Sequence, residues 1–306
     1  MFFSTKAEVE YLTPLWKGER MEDGRPKVSD SVLKRMSQLT LEEVWMTGWD
    51  NNYEFQVEGD IKATHPTTTP LVGRALTIEL MPFRLDLHTV CKAESQAFGF
   101  KGDYNKSAVD RMVEKDIMVV DFYDKIAYGT YVGGNLSTHI ANTTKGGGAV
   151  IWGGIRDLDQ IKKIPNLQIH YRGAHPTAIR DYVMTGYNRP CKIGRAVCLP
   201  GDVVFGSSEG IVFVPAHLAE ETVDAAEKSH IRDIFGFMRL REGVYTGTEI
   251  DNPWTDDMWN DFKTWFAQAP ETVDFRYLDF ATDIEDQRNG INKHRVRYRG
   301  GLPFNP

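Results

Sequence analysis

Hydrophobic and polar positions change period several times along this chain, and the changes outline its elements. Val32, Leu33, Met36 and Leu39 recur at helical spacing behind Ser29 or Asp30, either of which suits an N-cap. Thr40 predicts the cap of a second helix, because Leu41, Glu42, Glu43 and Val44 put acids near the positive end of a helix dipole. A strand starts at TTTPLVG and continues through Val72, Ala75, Thr77 and Ile78. Helices are expected over residues 86–98 and 105–114, the second leading into a strand over 117–120. Ala149, Val150, Ile151 and Trp152 form a short unbroken apolar run, which suits a strand covered on both faces. A helix over 158–164 and a strand over 167–171 follow. Residues 189–215 read as antiparallel β structure, with turn clusters at Pro200-Gly201-Asp202 and Ser207-Ser208-Glu209-Gly210. A long helix begins at Pro215-Ala216-His217 and ends near Gly243. Beyond it Trp259, Phe262 and Phe266 recur at helical spacing, a face that must dock on something, and Pro270 stops that helix.

The densest chemistry lies in GGNLSTHIANTTKGGGAVIWGGIRD, residues 133–157. Gly133 and Gly134 open a bend where a ligand can approach bare backbone. Asn135 stands where a helix N-cap is expected, with the helix over 136–145 and Gly146, Gly147 and Gly148 stopping it. Gly153 and Gly154 are expected to break the following strand. Arg156 and Asp157 come next, in the loop where open α/β sheets keep their ligands. Amides at Gly134, Asn135 and Leu136, with the dipole behind them, make a cradle for a carboxylate or an enolate oxygen. Arg156 offers a planar fork for a carboxylate, and Asp157 offers hard oxygens for Mg²⁺ or Mn²⁺. An ordinary surface Arg–Asp pair beside two glycine turns is the structural alternative.

Composition adds limits. The 306-residue chain is long enough for one large domain or two modest ones, each with a proper core. A net charge of −7, with basic residues clustered only in the C-terminal tail, removes the footprint expected for nucleic acid and leaves small anionic substrates open. Cys91, Cys191 and Cys198 are odd in number and lack ligand spacing, so neither disulfides nor zinc are expected and a reducing, cytoplasmic setting fits. No apolar run is long enough for a bilayer. His88, Cys91 and His139 read as packing or surface residues, whereas Asp121 at a strand end, Asp124 and Lys125 beyond it, and His175 before Pro176 are candidates to face the site.

Spaced N-x20-R-D, the residues Asn135, Arg156 and Asp157 resemble the D-x20-R-D motif of the RraA-like family. That family holds divalent-metal-dependent class II aldolases acting on 4-hydroxy-4-methyl-2-oxoglutarate and 4-carboxy-4-hydroxy-2-oxoadipate, and also non-catalytic regulators of ribonuclease E. LVGRALTI (71–78), VEKDIMVVD (113–121), RGAHP (172–176) and PGDVVFGSSEGIVFVP (200–215) are similar to family segments in the same order, so the likeness runs from about residue 32 to about 243. It implies an α/β fold, a swivelling β/β/α domain with mixed sheets, here expected over 29–243. An N-terminal arm (1–28) and a mainly helical or irregular C-terminal extension (244–306) would pack on the body or on a neighbouring subunit. It implies a homotrimer, or trimers paired into a hexamer, with sites at subunit interfaces.

For function the resemblance implies a lyase that cleaves a 4-hydroxy-2-oxo acid, or decarboxylates oxaloacetate, through a metal-stabilised enolate. Asp157 would be the metal ligand, Arg156 would hold the substrate carboxylate, and Gly133, Gly134, Asn135, Leu136 and His175 would line the substrate. Asn135 stands where the family's aldolases carry an acid, and Glu209, Asp121 or Asp124 would have to supply the missing carboxylate. A protein-binding regulator is the other reading, although such members lack the acid that Asp157 provides.

Overall fold

The structure, a computed structural model, describes residues 2–65 and 69–289. The chain opens with α1 (Lys6–Leu12), α2 (Asp30–Met36) and α3 (Leu41–Asp50), then two short strands, β1 (Val57–Glu58) and β2 (Lys62–Ala63). An alternating series follows: β3 (Leu71–Pro82), α4 (Leu85–Ala97), α5 (Tyr104–Val109), β4 (Asp116–Thr130), α6 (Gly134–Thr144), β5 (Gly148–Ile155), α7 (Leu158–Ile161) and β6 (Gln168–Ala174). Next come β7 (Tyr182–Tyr187), β8 (Cys191–Ile193), β9 (Ala196–Cys198), β10 (Val203–Gly206) and β11 (Ile211–Val214). The helices α8 (Ala219–Arg241), α9 (Gly247–Ile250), α10 (Asp256–Gln268) and α11 (Ala281–Arg288) complete the described chain.

One mixed sheet of nine strands runs β1-β11-β10-β3-β4-β5-β6-β2, with β7 also paired to β3. Its centre, β3-β4-β5-β6, is parallel, and the β10 and β11 side is antiparallel. The central strands are apolar on both faces because both are covered. Met118, Val120 and Phe122 of β4 join Ala108 and Val109 of α5 and Ile140 of α6 in one core. On the opposite face Ile117, Val119 and Val150 pack with Cys191, Ile193, Ala196 and Cys198 of the β8–β9 hairpin. Helices, sheet and hairpin are therefore stacked as the expected α, β and β layers. The three cysteines are free and buried in them.

Local chemistry explains most boundaries. Thr40 and Glu43 form a reciprocal capping box on α3, and Ser29 caps α2. Three expectations need correction. The helix over 105–114 ends at Val109. β4 does not stop near Val120 but continues through Thr130, with register shifts that carry residues 122–129 out over β5. Gly153 and Gly154 do not break β5. A Cβ at Gly153 would stand 2.9 Å from Lys125 O, and one at Gly154 2.7 Å from Ile126 O, so the glycines let the excursion of β4 lie on the strand.

The N-terminal segment lies on the body of its own chain. Phe3 bridges to Tyr187, and Arg25 reaches beneath the sheet to Asp116. The Trp259, Phe262 and Phe266 face is likewise met within the chain, since Trp259, Phe262 and Trp254 pack against Ile231 and Phe235 of α8 and Phe266 lies against the same cluster. An open aromatic face therefore no longer argues for assembly. In the basic tail Arg288 pairs with Asp256, whereas Lys293, His294, Arg295, Arg297 and Arg299 lie outside the described residues. Among the described residues no helix is long and apolar enough to cross a membrane.

Asp202 in the Pro200-Gly201-Asp202 turn accepts from Leu199 N at 2.7 Å, yet burial pushes its carboxyl up to about 7. A carboxyl whose folded pKa is raised binds a proton that the unfolded chain has released, so stability falls as pH rises from about 4 to about 7. At 1.36 kcal/mol per unit, that gap bounds the loss at roughly 4 kcal/mol. Asp202→Asn, which keeps an acceptor for Leu199 N, is expected to flatten the stability curve over this window. Denaturant unfolding from pH 4 to pH 8 checks it, and parallel curves for the two proteins would remove Asp202 as the cause.

Candidate functional site

Three segments meet at the carboxyl end of β5. The backbone from Tyr131 to Gly134 is tied to the strand by Tyr131 N donating to Gly154 O at 2.8 Å and Arg156 N donating to Val132 O at 3.0 Å. Asn105, buried on α5, donates from Nδ2 to Tyr131 O at 2.9 Å and holds the same segment from behind. From the third side His175 N donates to Ile155 O at 3.0 Å.

The glycine turn differs from the expectation in one respect. Gly133, not Asn135, is the N-cap, and α6 starts at Gly134. Asn135 therefore sits in the first turn, exposed, with its side chain free of any capping role. Gly133 takes the cap because no side chain fits there: a Cβ would stand 2.4 Å from Asp157 Oδ2 and 2.8 Å from Arg156 Nε.

Asp157 is the centre of the arrangement. Its backbone is left-handed, φ 58° and ψ 36°, a conformation that aspartate tolerates better than most residues. The turn sends its carboxylate across to the start of α6, where Gly134 N donates to Oδ2 at 3.0 Å. The Gly134 amide is therefore not free for a ligand, because the protein's own carboxylate already occupies that part of the cradle. Among the described residues Asn135 N and Leu136 N donate to no group outside the helix, and they lie at its start, where the dipole favours negative charge. Arg156 Nε lies 3.8 Å from Asp157 Oδ2, close enough for attraction and too long for a hydrogen bond. With its side chain 41% exposed, the guanidinium keeps most of its donors for something else.

His175 is half-buried, with Nδ1 2.9 Å from Thr177 Oγ1 and the ring 5.9 Å from that of Tyr128. Thr177 also accepts from Tyr128 N at 2.9 Å, so one threonine orients the imidazole and anchors the β4 excursion. Neither Thr177 nor Asn105 stood out in the sequence, because an isolated Thr or Asn carries no spacing signal.

The expected supplementary carboxylates lie elsewhere. Asp121 is on the face of β4 opposite α6, and lines a cavity with Trp152 and Lys192 rather than with Arg156 or Asp157. Burial raises the pKa of its carboxyl. Asp124 pairs with Arg172 at 2.9 Å. Glu209 lies in the β10–β11 turn, which the Gly206–Leu71 pairing puts at the start of β3, the far end of the sheet. His139 is exposed, 3.6 Å from Asp110. Among the described residues, no group of three or more His, Cys, Asp or Glu is arranged to hold a metal ion.

A metal at this position therefore has one protein carboxylate to use. Oδ1 of Asp157 accepts no hydrogen bond among the described residues, and Mg²⁺ is commonly held by one or two carboxylates with waters completing its octahedron. The donor set fits a small hard cation of that kind and does not fit zinc or another thiolate- or imidazole-seeking ion.

Comparison with known proteins bears on the family and the fold. Protein DlpA of Legionella pneumophila is 23% identical over 198 residues, 64% of this chain but 29% of that protein, so the chain spans under a third of its relative. RraAS2 of Streptomyces coelicolor, described as an unusual member of the RNase ES inhibitor RraA protein family, superposes with a TM-score of 0.58. It shares 23% identity, over 70% of this chain and 100% of that one. An uncharacterised Pseudomonas syringae protein gives 0.58 at 20% identity, over 74% of this chain and 98% of its own. The family model described as RraA-like, Aldolase/RraA, matches residues 27–213, and by that match over more than half its length the chain belongs to the RraA-like family.

Proposed function

We propose that this chain is a divalent-metal-dependent carbon–carbon lyase acting on a small 2-oxo acid, by retro-aldol cleavage of a 4-hydroxy-2-oxo acid or by decarboxylation of oxaloacetate type. The observation that carries the reading is the Asp157 carboxylate, fixed 3.0 Å from Gly134 N at the end of α6, with the half-exposed Arg156 beside it. Asp157 would hold Mg²⁺ or Mn²⁺ through its second oxygen. When bound there, the ion would supply Lewis-acid polarisation of a carbonyl oxygen.

The remaining roles belong to the chain itself. Arg156 would grip the substrate carboxylate with its planar fork. Asn135 N and Leu136 N would face the oxygen on which negative charge develops, where preorganised amides act most strongly. Gly133 makes room for the Asp157 carboxylate and Arg156 beside those amides. His175, oriented by Thr177, is the candidate for a further substrate contact. Asn135 is neutral and cannot act as a base, so the proton acceptor has to be a substrate carboxylate, a water or a carboxylate from another copy of the chain. The family's homotrimeric or hexameric assembly would provide the last. Asp121 has no role in this scheme.

The competing reading is a protein-binding regulator. It is favoured by one observation, that Asp157 already satisfies the cradle from within the chain. Metal-dependent release of pyruvate from 4-hydroxy-2-oxo acids and oxaloacetate separates the two, measured for wild type and Asp157→Ala with calorimetric Mg²⁺ titration of both. The lyase reading expects turnover and tight Mg²⁺ binding in wild type and loss of both in the variant. Equal Mg²⁺ affinities without turnover leave the regulator standing. Light scattering of the same preparations tests the assembly, and a clean monomer removes any site shared between subunits.

A further inference from the structure

On the face of the sheet away from α6 lies a cavity of about 650 Å³, lined among others by Asp121, Tyr123, Trp152, Lys192 and Arg195. Its floor carries Asp121 and Trp152, in register on the adjacent parallel strands β4 and β5 at the carboxyl ends where open α/β sheets receive ligands. Its roof is the β8–β9 hairpin, which carries Lys192 and Arg195 at its tip.

Most of the charge around the cavity is already committed. Glu58 accepts from Asp60 N and from Arg195 N, each at 3.1 Å. Asp60 and Asp124 both pair with Arg172, at 2.7 and 2.9 Å, and that guanidinium lies 4.4 Å from the centre of the Trp152 ring. Three groups are left over. Asp121 accepts from Tyr123 N at 2.9 Å through Oδ1, while its Oδ2 accepts no hydrogen bond among the described residues. Lys192 and the Arg195 guanidinium enter no ion pair among the described residues, and Lys192 acts on Asp121 only through longer-range attraction. The cavity thus presents one half-buried carboxylate on its floor, two uncommitted cations at its rim, and aromatic walls from Trp152 and Tyr123.

We infer that this cavity is a second ligand site, separate from the cradle, for a small zwitterion of the α-amino acid class. Its ammonium would meet Asp121, its carboxylate Lys192 and Arg195, and its side chain the two aromatic rings. An anion alone would meet the rim cations but press against Asp121, and a cation alone would do the reverse. Only a molecule carrying both signs matches both, through charge-assisted hydrogen bonds.

The test is calorimetric titration of the full chain with L-alanine, propionate and ethylamine, which share a skeleton and differ in which charge is missing. L-Alanine is expected to bind at least about tenfold more tightly than either half-ligand, a difference calorimetry resolves easily. Lys192→Met and Asp121→Asn are each expected to weaken L-alanine by about tenfold, the scale of one lost charge-assisted contact. Lys192 is exposed, so its variant stays informative even where Asp121→Asn disturbs the fold. Asp157→Ala is expected to leave L-alanine affinity unchanged, which keeps this outcome apart from that of the lyase reading. No heat with L-alanine, equal binding of L-alanine and propionate, or indifference to Lys192→Met would each overturn the proposal. So would loss of binding on Asp157→Ala, because that would place the ligand in the cradle.

Discussion

Arg25→Ala is expected to lower the stability of the whole fold by about 3–5 kcal/mol, the cost of leaving a buried charge without its partner. Arg25 has 1% of its side chain exposed and Asp116 none, and they meet through two parallel bonds of 2.9 and 3.0 Å. The guanidinium also donates to Ala75 O at 3.1 Å and, through Nε, to Asp23 at 2.7 Å, so it pins the N-terminal segment to the first residues of β3 and β4 together. Its loss leaves Asp116 charged, dry and held only by Val113 N at 3.0 Å. Urea unfolding is the measurement. The double variant Arg25→Met with Asp116→Leu is expected to recover part of the loss, since a buried pair replaced by apolar groups of similar volume is often neutral. A single variant as stable as wild type would mean that water reaches Asp116.

Gly133→Ala is expected to abolish the site while leaving the fold standing. Gly133 is extended, at φ −130° and ψ −166°, a conformation alanine adopts freely, so its backbone carries no penalty. The penalty is space, because the new methyl would sit 2.4 Å from Asp157 Oδ2 and drive the carboxylate off Gly134 N. Displacement of about an ångström costs on the order of a hundredfold in rate, and under the proposed function pyruvate release and Mg²⁺ affinity should both fall. Gly102→Ala is the matched control. It has φ +75° and nothing within 4 Å of a new Cβ, so it carries backbone strain without crowding and should lose some stability while keeping the site. If Gly133→Ala retains full Mg²⁺ affinity, Asp157 is not the ligand.

What could be read from the sequence was local, and what could not was tertiary. Thr40 with Glu43, and Ser29 before Val32, declare their helices through side chains only three residues apart. The run at residues 149–152 is apolar on both faces because two layers cover it, and the arginine and aspartate at its end do stand at a strand terminus. The second half of β4 gave no such sign. FYDKIAYGT alternates poorly, and its strand character comes from lying on Gly153 and Gly154, whose glycines read as strand breakers in isolation. β7 was missed for a similar reason, since its pairing with β3 is set by a partner about a hundred residues away. At the site, the positions of Arg156 and Asp157 were legible, and the identity of the cap was not. Asn135 is the better capping residue by propensity, but a side chain arriving from Asp157 excludes any Cβ at the position before Gly134.

The helix α8 belongs to two cores at once. Ala219, Val223 and Ala226 of its first half pack with Val32, Leu33 and Met36, and Ile231 and Phe235 of its second half pack with Trp254, Trp259 and Phe262. A premature stop codon just past Gly243 would therefore not leave a self-sufficient smaller protein. It would leave a long helix whose last turns carry bare Ile231 and Phe235, an adhesive surface of the sort that cellular quality control removes. The two parts are in this sense mutually dependent: Phe235 and Ile231 need the C-terminal aromatics as cover, and those aromatics need α8 to dock on.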